Sequence, residues 1–209
     1  MPKKSPSAPL KKAILDTPSA INGTKLSIAD RFAFGKSLRN KVSLDEQGNF
    51  ILPKKRIGII DVLKKQEKNR LQSNIPIRYQ RMMESPFSFY RGGAAIMAQD
   101  LANQPTTNIN VQLCGDMHVS NFGFFATAEH KLVFGINDFD ETLPGSWEWD
   151  LKRLVASAVI ACEVLGGSES TSEALVRKIV RSYREKLTEY ASMSYVNLAY
   201  EFFGERVVR

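Results

Sequence analysis

Two acidic clusters carry side chains whose types and spacing can do chemistry. The first is Gly115-Asp116-Met117-His118-Val119-Ser120-Asn121, and the second is Asn137-Asp138-Phe139-Asp140-Glu141. Between them, 122–125 and 131–136 read as two strands joined by a hairpin loop through Ala128-Glu129-His130. A hairpin returns the chain to its start, so Asn121 and Asp138 are expected near each other. An Asn oxygen and an Asp carboxylate are hard donors suited to Mg²⁺ bound together with phosphate oxygens. Asp116 stands five residues before Asn121 on the same loop. It then faces a substrate hydroxyl rather than the metal, as the base of a phosphoryl transfer. Asp140 and Glu141 are either further metal ligands or structural ion-pair partners. His118 either buttresses the loop or touches substrate. Arg91 either pairs with a carboxylate of the site or grips a phosphate. Cys114 is expected to be buried rather than nucleophilic, and His130 to sit idle in the hairpin tip.

The elements that position these residues read from pattern. Ser27 caps a helix over 28–40 with Phe32, Phe34 and Leu38 on its apolar side. The run 45–49 reads as a turn. An amphipathic helix over 57–71 offers Ile57, Ile60, Leu63 and Leu71 to a core and turns Lys64, Lys65, Lys68 and Arg70 to solvent. Short helices follow over 76–84, with Pro76 in a favourable first-turn position, and over 94–102. Ile109, Val111 and Leu113 alternate along a strand that runs into Cys114. Pro144 and Gly145 mark a loop. Asp150 opens an apolar helix that stops at Gly166-Gly167, and Ser168 caps the next, over 169–191. A last helix is expected over 195–203. Trp147 and Trp149 read as packing residues.

Composition narrows the class. The chain has 209 residues, 43% hydrophobic and 24% charged, which is ordinary for a globular protein. No apolar run approaches the roughly 20 residues that span a bilayer. The N-terminus lacks the apolar segment of a secretory signal. Two cysteines cannot build a disulfide framework and fit a reducing, cytoplasmic setting. The net charge of +7 is uneven: residues 1–90 hold 18 Lys and Arg against 7 Asp and Glu, and the remainder 11 against 15. A basic tail over 1–25, a helical segment over 26–84 and a catalytic part over 85–209 are the expected divisions. A nucleic-acid-binding arm is the less favoured reading of the basic end, because no zinc-finger, basic-zipper or RNA-binding signature accompanies it.

The order of these pieces resembles the protein-kinase-like superfamily, above all its small-molecule phosphotransferases. Aminoglycoside and choline kinases carry a similar His-Gly-Asp-x-His-x-x-Asn loop, with Cys114 here in the place of the first His. In those kinases an Asp-Leu placed like Asp150-Leu151 opens a helix and buttresses the catalytic loop. A closer resemblance rests on four runs: Ser-Pro-Phe-Ser-Phe-Tyr-Arg-Gly at 85–92, Cys-Gly-Asp-Met-His-Val-Ser-Asn-Phe-Gly at 114–123, Asn-Asp-Phe-Asp-Glu-Thr at 137–142, and Trp-Glu-Trp-Asp-Leu-Lys-Arg-Leu at 147–154. They look like the uncharacterised bacterial family catalogued as domain of unknown function 2252. The resemblance implies an α+β, mostly helical fold like the catalytic lobe of a kinase, with a short β-hairpin carrying the site. It also implies Mg²⁺ and ATP as cofactors and a hydroxyl-bearing acceptor.

Two rival classes remain at this level. One is a kinase-like binding module without turnover, using its basic N-terminal part. The other is a metallophosphoesterase, which the two histidines of the chain cannot complete. A kinase also needs a Gly-rich turn and a strand-borne Lys over the donor phosphates. Neither precedes Asp116, and in the similar family they lie downstream of the matched region, beyond Arg209. The expectation is a catalytic lobe lacking its nucleotide-binding partner lobe, exposing an apolar docking patch, and binding ATP weakly or not at all.

Overall fold

A computed structural model of the chain describes residues 27–201 and 203–204. The basic tail expected over 1–25 lies outside the described residues. The fold is α+β and mostly helical.

Helix α1 (Ile28–Ser37) begins where Ser27 Oγ accepts the amide of Asp30 at 3.1 Å. It passes into a 3₁₀ turn, Leu38–Asn40. Phe32 and Phe34 are exposed, and of the apolar side expected of this helix only Leu38 is half-buried. The run 45–49 is largely helix rather than turn. Helix α2 (Leu44–Gly48) is closed by a capping box in which Ser43 and Glu46 satisfy each other's backbone amides.

Helix α3 (Ile59–Glu67) is shorter than its apolar pattern suggests, and its buried stripe is Val62 and Leu63. Leu63 is buried, whereas Ile57, Ile60 and Leu71 are exposed. The helix stops because Asn69 and Arg70 fold back onto the carbonyls of Gln66 and Glu67. Helix α4 (Ile75–Met82) starts with Pro76 in its first turn, and α5 (Pro86–Arg91) is capped by Ser85. Helix α6 (Ala94–Leu101) follows. Val62, Leu63, Met82 and Ile96 form one apolar cluster, joining residues from both sides of position 84. Arg56 adds a two-pronged ion pair to Asp100, at 2.7 Å for each contact.

Strand β1 (Asn110–Leu113) runs to the site. Its partner is a strand where a loop was expected: β4 (Leu143–Ser146), antiparallel, with Gln112 opposite Pro144. The amide of Trp147 donates to the carbonyl of Ile109 at 3.1 Å, so the alternation of the ladder makes Gln112–Pro144 a non-hydrogen-bonded pair, and the missing amide of Pro144 costs no ladder bond. Strands β2 (Phe122–Ala126) and β3 (Leu132–Ile136) form the expected hairpin, with β5 (Phe203–Gly204) beside β3. Helix α7 (Glu148–Val164) packs along α8 (Glu169–Ser192), and the last helix, α9 (Tyr195–Ala199), is shorter than the 195–203 expected, because the chain leaves the helix and reaches β5. Trp147 stacks on Tyr183 with the rings 6.0 Å apart and 8° from parallel. No helix among the described residues is long and apolar enough to cross a membrane.

Candidate functional site

The site is built on a loop held from behind. Strand β1 delivers Cys114 and Gly115, whose amides donate to Asp150 Oδ2 at 2.7 Å and Oδ1 at 3.0 Å. Asp150 stands in the first turn of α7, so one carboxylate fastens the loop to the longest buried helix of the fold. Burial pushes the Asp150 carboxyl above its ordinary range, opposed by the two amides that favour the charged form. Further along, the amide of Val119 donates to Ser157 Oγ on the same helix at 3.0 Å.

The loop then closes on itself. The carbonyl oxygen of Asp116 accepts the His118 amide at 3.0 Å and Asn121 Nδ2 at 2.8 Å. Asn121 is thereby turned so that its amide nitrogen is committed and its Oδ1 remains to serve as a donor atom for a cation. The amide of Asn137 donates to the carbonyl of Asn121 at 3.1 Å, so the hairpin does return to its start. Cys114 is buried, its thiol pushed up by burial, and its Sγ lies 3.4 Å from the carbonyl of Asp138. Thr142 Oγ1 donates to the carbonyl of Leu113 at 2.6 Å. These two contacts tie the second acidic loop to the first.

Asp116, His118, Asn121 and Asp138 line one cleft of about 1010 Å³. Arg91 lines it too, exposed, with no carboxylate in ion-pair reach among the described residues. Asp140 is exposed and is not part of the lining; its amide donates to Asp138 Oδ1 at 3.1 Å and so orients that carboxylate. Asp150 acts behind the loop rather than in the cleft. Among the described residues no group of three or more His, Cys, Asp or Glu is gathered as a cage. Asn121 Oδ1 and the remaining oxygen of Asp138 are instead two hard donors on residues that line the same cleft. Such a set fits Mg²⁺, which keeps waters and phosphate oxygens as its other ligands.

Sequence reasoning passed over Arg153. It is 3% exposed, and its Nε and Nη2 reach Asp116 Oδ1 at 2.6 and 2.5 Å. Its Nη2 also donates to the carbonyl of Tyr90 at 2.9 Å, and its guanidinium lies 4.5 Å from the centre of the Tyr90 ring. Burial lifts the Tyr90 phenol to about 12. One signal for Arg153 was available: it follows Asp150 by three residues, which on a helix puts both on one face. The pair leaves Asp116 Oδ2 as the open carboxylate oxygen, with His118 Nε2 at 3.7 Å.

His118 is 3% exposed and its Nδ1 has no partner among the described residues. Burial holds its pKa below 6.5, aided by Arg153 and Arg91 and opposed by Asp116. The unfolded chain therefore binds a proton below pH 6.5 that the folded chain resists. Stability from this group is complete above 6.5 and is lost as pH falls below it. Urea denaturation at pH 7.5 and 5.5 is expected to show a fall in stability for the wild type that shrinks in His118→Gln. An equal fall in both proteins would assign the loss to other groups.

Residues 70–209 match the family described as uncharacterized protein conserved in bacteria (DUF2252). No curated protein and no solved structure matches the chain.

Proposed function

We propose that this chain, which belongs to the bacterial DUF2252 family, carries the catalytic cleft of a Mg²⁺-dependent phosphotransferase acting on a hydroxyl acceptor. The observation that supports it is the meeting of Asp116, Asn121 and Asp138 in one cleft from two separate loops. Asp116 Oδ2 accepts the acceptor's proton, because Oδ1 is committed to Arg153. Asn121 and Asp138 would hold the metal, which would supply charge neutralisation on the transferring phosphate. Asp150 is a positioning residue: it fixes the backbone from which Asp116 projects. ATP is the proposed donor, bound weakly because no Gly-rich turn or strand-borne Lys for its phosphates precedes Asp116, so nucleotide is supplied at millimolar concentration in each assay.

One observation favours a second reading, a binding module without turnover. The ion pair between Asp116 and buried Arg153 serves structure whether or not chemistry follows. The two readings separate on the metal. Paramagnetic titration with Mn²⁺ in the presence of ADP is expected to detect a site that Asp138→Asn weakens about tenfold or more and Asp116→Asn leaves nearly intact. Mn²⁺ binding indifferent to Asp138→Asn would remove the metal assignment. In a turnover assay Asp116→Asn is expected to lose about 10²–10⁴-fold, the range for a missing general base.

A further inference from the structure

The same cleft carries four arginines that the mechanism does not use. Arg70, Arg78, Arg81 and Arg91 all line it. They come from the turn before α4, from α4 itself and from the end of α5. Among the described residues none of the four has a carboxylate within ion-pair distance, whereas Arg56, Arg153 and Arg177 each do. Of the carboxylates in the lining, Glu84, Asp116 and Asp138, one is already neutralised by Arg153. Four guanidiniums therefore face two uncommitted carboxylates, both on exposed residues.

Arg78 shows the imbalance most directly. Its Nη2 donates to the carbonyl of Gly92 at 2.7 Å, while its Nη1 is buried with no acceptor among the described residues. An unsatisfied charged donor is costly. Burial lowers its pKa and the positive charge of Arg70 adds to the effect, opposed by Tyr79, Glu141 and Glu67, neither carboxylate being within ion-pair distance. Cations gathered in a concave site in excess of its carboxylates are what a doubly charged oxyanion neutralises best, since guanidinium forks match phosphate geometry. The concavity and its interleaved carboxylates suit a small molecule, and the volume of about 1010 Å³ stands at the upper end of such pockets.

We infer that Arg70, Arg78, Arg81 and Arg91 form a phosphate-binding subsite that holds its ligand without metal, so that the molecule in the cleft carries a phosphate gripped by side chains. The inference rests on the phosphoryl-transfer reading of this cleft and deepens it by naming the ligand's chemistry. The phosphate can belong to the donor's chain or to a phosphorylated acceptor.

Calorimetry on the whole chain in EDTA tests it, with tripolyphosphate and glycerol 1-phosphate as probes. Binding is expected in the absence of divalent metal, weaker by about tenfold or more in Arg81→Gln/Arg91→Gln, and partly restored in the corresponding double Lys variant. Both positions are exposed, so the variants are expected to fold, as circular dichroism would verify. Asp138→Asn removes a nearby negative charge and is expected to leave binding equal or tighter. Tripolyphosphate bound well above the monoester points to the donor chain, and comparable binding points to a phosphorylated acceptor. Phosphate binding in EDTA alongside a failed Mn²⁺ titration would end the metal-dependent reading and still support the subsite. No binding in EDTA, or binding that ignores the double Gln variant, would overturn it.

Discussion

Asp116→Ala is expected to lower the unfolding free energy by about 3–5 kcal/mol, the range for breaking a buried ion pair from one side. Arg153 is the reason. Its guanidinium is 3% exposed and holds Asp116 Oδ1 through two nitrogens. Alanine takes the counter-charge away and leaves the cation in place. The remaining contacts, the carbonyl of Tyr90 at 2.9 Å and its ring face, soften the loss and favour the lower end of the range. Asp116→Asn also removes the counter-charge but keeps an oxygen acceptor in the same position, so its cost is expected to be smaller, about 1.5–3 kcal/mol, the range for a hydrogen bond to a charged group. Asp116→Ala/Arg153→Met removes both charges into surroundings that already include Met97 and Tyr90, and recovers most of the stability. Urea titrations of the four proteins check this. If Asp116→Ala/Arg153→Met loses as much as Asp116→Ala alone, the orphaned Arg153 charge does not govern the effect. The same series separates stability from chemistry, since Asp116→Asn is the variant that stays folded while losing the proposed base.

The acidic loops were legible because their geometry follows from a local rule. Two alternating runs with a polar break make a hairpin, and the ends of a hairpin meet whatever surrounds them. Asn121 and Asp138 needed no tertiary knowledge to be brought to one cleft. Asp150 was legible only through resemblance, since nothing in an Asp at the start of an apolar helix says which amides it will receive. Arg153 was missed for the converse reason: an arginine inside an apolar helix announces burial without naming its carboxylate.

The arginines of 70–91 were invisible as a group. Arg70 belongs to a run of charges that pattern alone turns to solvent, and Arg70 is indeed exposed. What no periodicity reveals is that α4 and the turn before it lie along the cleft lined by Asp116. The helix expected over 57–71 proved too long, and of its apolar face only Leu63 is buried, because Ile57, Ile60 and Leu71 match the apolar spacing as well as the buried Val62 does. Only the partners Met82 and Ile96 decide which stripe is buried. Strand β4 was hidden by composition. Leu143-Pro144-Gly145-Ser146 has turn residues, and its pairing with β1 depends on a contact distant in sequence.

Gly115→Ala is expected to be the most damaging single-methyl change near the site. Gly115 has φ of +86°, a left-handed conformation that costs any other residue. Its surroundings add a second obstacle. A Cβ there would stand 2.0 Å from the carbonyl oxygen of Glu141, which is backbone and cannot swing aside. Relief requires the two acidic loops to part. That motion pulls against the Gly115 amide on Asp150, the Cys114 thiol on the carbonyl of Asp138, and Thr142 on the carbonyl of Leu113. Gly166 provides the control. Its φ is +79°, but a Cβ there would meet nothing within 4 Å. Gly166→Ala therefore isolates the conformational cost, about 1–2 kcal/mol. Gly115→Ala is expected to exceed it by about 2 kcal/mol or more, the scale of a backbone strain that the surroundings must absorb. Parallel urea titrations measure the difference, and Mn²⁺ titration in the presence of ADP is expected to weaken in Gly115→Ala but not in Gly166→Ala. Equal losses in the two variants would mean that the loops are not pressed together at Gly115, and that the cleft does not depend on their close approach.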